Sequence, residues 1–161
     1  MLFLMALNLA MKMTKSDNTY WQTKERIGNA SNQHQGKYKR VLAVCSGGLL
    51  RSPTIAHTLS AEPYNYNTRS AGLNPDYALN LVDQILLEWA DEIVCADTEH
   101  EVEIKDMLED IGLGSKPVVC LKLPDVYHYR HRKLVHLIKK RYNQHLGGEP
   151  VTEDLENDYP E

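Results

Sequence analysis

The chain has 161 residues, 42% of them hydrophobic and 25% charged, a length and balance that fit one globular domain with its own core and exclude fibrous or wholly disordered classes. The formal charge of -4 is uneven: Glu149, Glu153, Asp154, Glu156, Asp158 and Glu161 fall in residues 147–161, which hold no Lys or Arg, and the remaining body is slightly basic. Such a body suits an anionic substrate and lacks the footprint of a dedicated nucleic-acid binder.

In chain order, Met1 to Met13 is apolar but brief, with no basic residue ahead of its apolar run. It is too short to span a bilayer and reads poorly as a signal peptide, so no membrane partner is expected. Lys15 to Gly36 is polar and without period; residues 1–36 read as a loosely ordered extension, with Met11 and Met13 as alternative starts. Val41-Leu42-Ala43-Val44 is a short continuous apolar run, the pattern of a strand buried on both faces. A glycine turn follows. Ser52-Pro53 then supplies an N-cap and a first-turn proline for a helix to about Ser60. Tyr64 to Arg69 reads as a second strand. Asn74-Pro75 opens a second helix, in which Leu79, Val82, Ile85, Leu86 and Trp89 recur at helical spacing. Asp91 to Ala96 forms a third strand, Thr98 to about Ile111 a third helix, Pro117 to Leu121 a fourth strand, and Arg130 to His145 a basic closing helix. Gly147-Gly148 marks the boundary to a solvated acidic tail, leaving a domain at 37–146.

Strands alternating with helices predict an α/β fold: a four-stranded parallel sheet with right-handed crossovers and helices on both faces, three layers in all. Ligands of such sheets sit at the carboxyl ends of the strands. The turn after Val44 is such a place, and it carries the chemistry. Cys45-Ser46-Gly47-Gly48-Leu49-Leu50-Arg51-Ser52 puts a thiol at a strand end and an arginine six positions later at a helix start. The backbone N–H groups of Ser46, Gly47, Gly48, Leu49 and Leu50 can converge on one anion, and the glycines allow the dihedrals that such a nest needs. The helix N-terminus favours an anion there, phosphate or thiolate. Arg51 can hold two phosphate oxygens with its planar fork, and the Ser52 hydroxyl can donate to the thiolate.

Three cysteines without paired spacing argue against a disulfide framework and a zinc site, and favour a reducing cytoplasm. Cys95 and Cys120, inside apolar strands, read as inert core. His128, His131 and His136 have no Cys or carboxylate at ligand spacing, so no metal is expected and surface positions are the better reading. The cations of the last helix, from Arg130 to Arg141, read as a solvated face.

These segments resemble the low-molecular-weight protein tyrosine phosphatases, whose signature V-C-x-G-N-x-C-R-S-P is matched at Cys45, Gly47, Arg51, Ser52 and Pro53. Arg69-Ser70-Ala71-Gly72-Leu73 resembles the family's R-S-A-G turn, Trp89-Ala90-Asp91-Glu92-Ile93 its A-D-x-I strand, and Leu123-Pro124-Asp125 its acid loop. The likeness covers about residues 38 to 145 and is similar to a short bacterial and phage branch. It implies strand order 2-1-3-4, a phosphate-binding loop after strand 1, and hydrolysis of phosphate monoesters through a phosphocysteine intermediate without cofactor. The implied partner is a phosphorylated protein or a small phosphate ester, with phosphotyrosine as substrate class. Asp125 stands where a carboxylic acid would protonate the leaving oxygen and then activate water, and Tyr127 where relatives wall the cleft. Gly48 replaces the loop-bracing Asn, Leu50 the second loop cysteine, and Val126 a frequent Pro. Two rival readings are arsenate reduction on the same loop, which needs a cysteine relay, and a non-catalytic module that binds phosphoproteins.

Overall fold

The structure, a computed structural model, describes residues 38–148. The extension expected at 1–36 and the acidic residues of the tail lie outside the described residues. The elements are β1 (Arg40–Cys45), α1 (Arg51–Ser60), β2 (Asn67–Gly72), α2 (Gln84–Trp89), β3 (Glu92–Cys95), α3 (Thr98–Asp110), β4 (Val118–Cys120) and α4 (Arg132–His145). The strands pair in parallel in the order β2-β1-β3-β4, the order the resemblance implies.

The apolar run of β1 explains its central place. Val41 through Val44 are fully buried, as a strand covered on both faces requires. Val41, Ala43 and Cys45 join Ile55 and Leu59 of α1 and Leu134, Ile138 and Tyr142 of α4 in one cluster. Leu42 and Val44 point by alternation to the other face, on the side of the buried Leu86 and Leu87 of α2 and Ile104 and Leu108 of α3. The amino end of the sheet is closed by a buried carboxylate. Glu92 accepts from the Tyr142 hydroxyl at 2.7 Å and pairs with Lys39 at 3.1 Å, which ties the last helix to β3.

Three local expectations are corrected. The second strand starts at Asn67, not Tyr64, because the N–H groups of Tyr64 and Asn65 turn back to Ala61 O at 3.1 and 3.0 Å. Tyr64 and Tyr66 instead pack with Tyr142, ring centroids no more than 6.1 Å apart. The first helix starts at Arg51 after Leu50, which offers no side-chain cap, and Ser52 sits inside the first turn with its hydroxyl turned to the sheet.

The third correction is the largest. Asn74 caps only a single turn, its Oδ1 accepting from Asp76 N–H at 2.9 Å. The chain then runs beside the end of β2: Gly72 N–H donates to Asn80 O at 2.8 Å and Val82 N–H to Gly72 O at 3.0 Å. The open edge of β2 needs partners for its backbone groups, and this need outweighs the helical spacing of the side chains. Leu79 is consequently 84% exposed. The helix begins afresh at Asp83, whose carboxylate accepts from Leu86 N–H at 2.9 Å.

Gly72 is where β2 meets the loop that follows β1. A Cβ at this position would lie 2.6 Å from Ser46 O and 2.7 Å from Gly47 C, both backbone atoms. Gly72→Ala is expected to lower stability by about 1–3 kcal/mol, as overpacking against backbone does. Urea unfolding would read this as a lower midpoint at constant slope; a wild-type midpoint would show that the loop does not rest on β2.

Candidate active site

β1 ends at Cys45, and α1 starts only six residues later, so the intervening chain must curl back on itself. Gly48 makes this possible, with a φ of 69° in the left-handed region where a side chain is strained. A Cβ there would also meet Gly72 N at 3.1 Å. The residue that replaces the loop-bracing Asn is thus the one its conformation favours. The curl aims Gly48 N–H at Cys45 Sγ, 3.1 Å away. Ser52 Oγ lies 3.1 Å from the same sulfur and donates to Ala71 O at 3.3 Å. In the thiol form the S–H points at Ser52 Oγ; on ionisation, the serine hydroxyl can turn its hydrogen to the sulfur. Leu73 N–H and Asn74 N–H hold the loop from below, donating to Cys45 O and Ser46 O at 3.0 and 2.9 Å.

Arg51, the first residue of α1, is buried, and its guanidinium gathers the neighbouring segments. Nη1 donates to Leu123 O at 3.1 Å and lies 3.9 Å from Asp97 Oδ2, and Nε faces Asp125 Oδ1 at 3.4 Å. Asp125 follows β4 on an exposed turn and is reached only because β1, β3 and β4 are neighbours in the sheet. Cys45, Ser46, Gly47, Leu49, Leu50, Arg51, Tyr77 and Asp125 line a small cleft of about 110 Å³. A thiol at the floor, a planar cation in the wall and a carboxyl group at the rim can hold an oxyanion and act on it.

The same architecture occurs in solved structures. A low-molecular-weight protein tyrosine phosphatase from Streptococcus pyogenes matches at a TM-score of 0.52 and 14% identity, over 68% of this chain and 91% of its own. The tyrosine phosphatase AmsI of Erwinia amylovora matches at 0.52 and 14%, over 73% and 97%. YfkJ of Bacillus subtilis matches at 0.50 and 20%, over 70% and 94%. The chain has the fold of the low-molecular-weight protein tyrosine phosphatases. No protein-family model matches the sequence, and neither does any curated protein.

On this phosphatase fold, the sequence-derived residues divide into three groups. Cys45, Arg51 and Asp125 meet at the cleft with Ser46, Gly47, Leu49 and Leu50. Gly48, within the loop, and Ser52, in the first turn of α1, contact the sulfur. Tyr127 is placed elsewhere, packed on the core with its ring 4.9 Å from that of His131. The aromatic at the cleft is Tyr77, whose ring lies 2.9 Å from where a Gly47 Cβ would be. Sequence reasoning missed it by assigning that stretch to a helix.

It also missed His100, a buried residue whose Nε2 is 2.9 Å from Ser46 Oγ. The available signal was Asp97-x-x-His100 at a helix start, the spacing of a capping box. Cys95 and Cys120 are register partners in β3 and β4, and burial pushes both thiols up. The rings of His128 and His131 meet edge to face with centroids 4.7 Å apart, and among the described residues no three His, Cys, Asp or Glu are grouped to hold a metal. No helix among these residues is long and apolar enough to cross a membrane.

A clamping role for Arg51 can be tested apart from any reaction. Arg51→Lys keeps the charge but loses the planar fork and the reach to Leu123 O, so inorganic phosphate should bind about 10- to 100-fold more weakly by calorimetry. Equal affinity in the lysine variant would place the clamp elsewhere.

Proposed function

We propose that this chain hydrolyses phosphate monoesters through a phosphocysteine intermediate, with phosphotyrosine in proteins as the substrate class. The observation that carries the reading is the convergence on Cys45 Sγ of Gly48 N–H and Ser52 Oγ, both at 3.1 Å, in the cleft that Arg51 and Asp125 share. Two solved structures of the same fold are tyrosine phosphatases by name, which supports the substrate class. Tyr77 at the cleft supplies a surface for an aromatic leaving group.

In the first step the Cys45 thiolate attacks phosphorus, the bond to the ester oxygen breaks, and protonated Asp125 gives that oxygen its proton. Arg51 and the loop N–H groups hold the three equatorial oxygens, where charge is spread in the transition state. In the second step the Asp125 carboxylate takes a proton from water, whose oxygen attacks phosphorus; the sulfur leaves as thiolate and inorganic phosphate departs. No cofactor enters either step. A reducing cytoplasm suits a nucleophilic free thiol. Against the arsenate-reductase reading, neither Cys95 nor Cys120 lines the cleft, and Cys95 is buried in the sheet.

Cys45→Ser is expected to abolish turnover of para-nitrophenyl phosphate while retaining phosphate binding, because a serine hydroxyl is barely ionised where a thiol is. Substantial residual turnover would remove Cys45 from the role. Asp125→Asn separates acid from scaffold. It should slow phosphotyrosine cleavage by about 100-fold or more, and para-nitrophenyl phosphate by much less, since para-nitrophenolate leaves without a donated proton. An equal loss on both substrates would reduce Asp125 to a turn residue.

A further inference from the structure

His100 is buried, yet both of its ring nitrogens are engaged, and the ring itself has no part in the chemistry proposed above. Nδ1 lies 3.1 Å from the backbone N–H of Asp97, which can only donate, so Nδ1 is the acceptor. In the neutral ring this leaves the hydrogen on Nε2, which donates to Ser46 Oγ at 2.9 Å. Ser46 is thereby fixed twice. Its hydroxyl is held by the first turn of α3, and its carbonyl accepts from Asn74 N–H at 2.9 Å in the turn after β2. Ser46 is the first residue of the phosphate loop, so these two anchors set the direction in which the loop presents its N–H groups. The Asp97 that His100 caps also lies 3.9 Å from Arg51 Nη1, so one helix start supports both the loop and the clamp.

We infer that His100 is a positioning residue for oxyanion binding, which acts through its Nε2–H bond to Ser46 and works only as the neutral ring. The inference deepens the hydrolase reading but requires only that the loop bind an oxyanion. A proton added at Nδ1 would set two donors face to face at Asp97 N–H and break the arrangement. The groups around the ring are Arg51 from α1, Asp76 from the turn after β2, and Asp97, Glu99 and Glu103 at the start of α3. Burial first, then the Arg51 cation, holds the imidazole below its ordinary value of 6.5, against the pull of Asp97, Glu99 and Glu103. The ring is therefore neutral above that value, and the link is lost as pH falls through the lower value in the folded protein.

The test is sulfate binding in full-length Cys45→Ser protein, followed by calorimetry from pH 7.5 down to 5, where neither the anion nor residue 45 titrates. His100→Asn keeps an acceptor at the position of Nδ1 but is too short to reach Ser46; His100→Gln carries an amide donor as far as Nε2 and does not titrate. At pH 7.5, His100→Asn and Ser46→Ala should each bind sulfate about tenfold more weakly, the size of one lost hydrogen bond. The double variant should be no weaker than either single one. His100→Gln should recover most of the affinity and lack the acid-side fall shown by its His100 parent. Wild-type affinity in His100→Asn, losses that multiply in the double variant, no recovery with Gln, or no sulfate binding at all would overturn the inference. If His100-dependent sulfate binding is found while the Cys45 protein fails to turn over any phosphate ester, the hydrolase reading falls and this one stands.

Discussion

The site depends on one steric constraint: the backbone of the loop after β1 lies directly on the end of β2. Gly48 and Gly72 face each other there, and a Cβ on either would come within 3.1 Å of the other segment's backbone. With both side chains absent, the loop can descend far enough for Gly48 N–H to reach the sulfur and for Ser52 Oγ to bridge the sulfur and Ala71 O. Hydrogen bonds in this region are consequences of that close approach. Lifting the loop by the radius of a methyl group would lengthen all of them together.

The two ends of the sheet are held by different means. At the carboxyl end Arg51 acts as a hub, drawing the chain after β4 to itself through Leu123 O and Asp125 and standing near the cap of α3. At the amino end the buried Glu92 takes a hydroxyl and an ammonium group, Tyr142 and Lys39, so that its charge is compensated away from water. α4 spans the two ends: Tyr142 is bonded to Glu92, while Arg141, one residue earlier, donates to the carbonyls of Leu121 and Lys122. The last helix thereby fixes the height of the segment that carries Asp125.

What the sequence disclosed follows from how local each signal is. β1, the loop and α1 are read from about twenty contiguous residues, in which apolar run, glycines and Ser-Pro agree, and the structure brings Cys45 and Arg51 together there. Asp125 is distant in sequence, and chemistry together with the family likeness was needed to single it out. Apart from the exact starts of α1 and β2, which local turns decide, the failures concern relations between segments. The spacing of Leu79, Val82, Ile85, Leu86 and Trp89 satisfies a helix, but periodicity cannot register that the edge of β2 lacks partners, and backbone pairing takes Asn80 to Val82 instead. Tyr77 was hidden by that same error. His100 requires knowing that α3 starts beside the loop, which is a property of strand order and not of the residues around it.

The site also divides by its distance along the chain. Thiol, loop amides and guanidinium come from one uninterrupted stretch, whereas the carboxyl group arrives some seventy residues later on an exposed turn. Under the proposed hydrolysis, capture and release are therefore separable along the chain. The side chain at position 125 can be exchanged while Leu123 O keeps its bond to Arg51 and the loop keeps its supports on β2 and α3. In the hydrolysis proposed above, a chain without that carboxyl group would keep its grip on a phosphorylated partner and lose the means of letting it go, which would turn a transient encounter into a lasting complex.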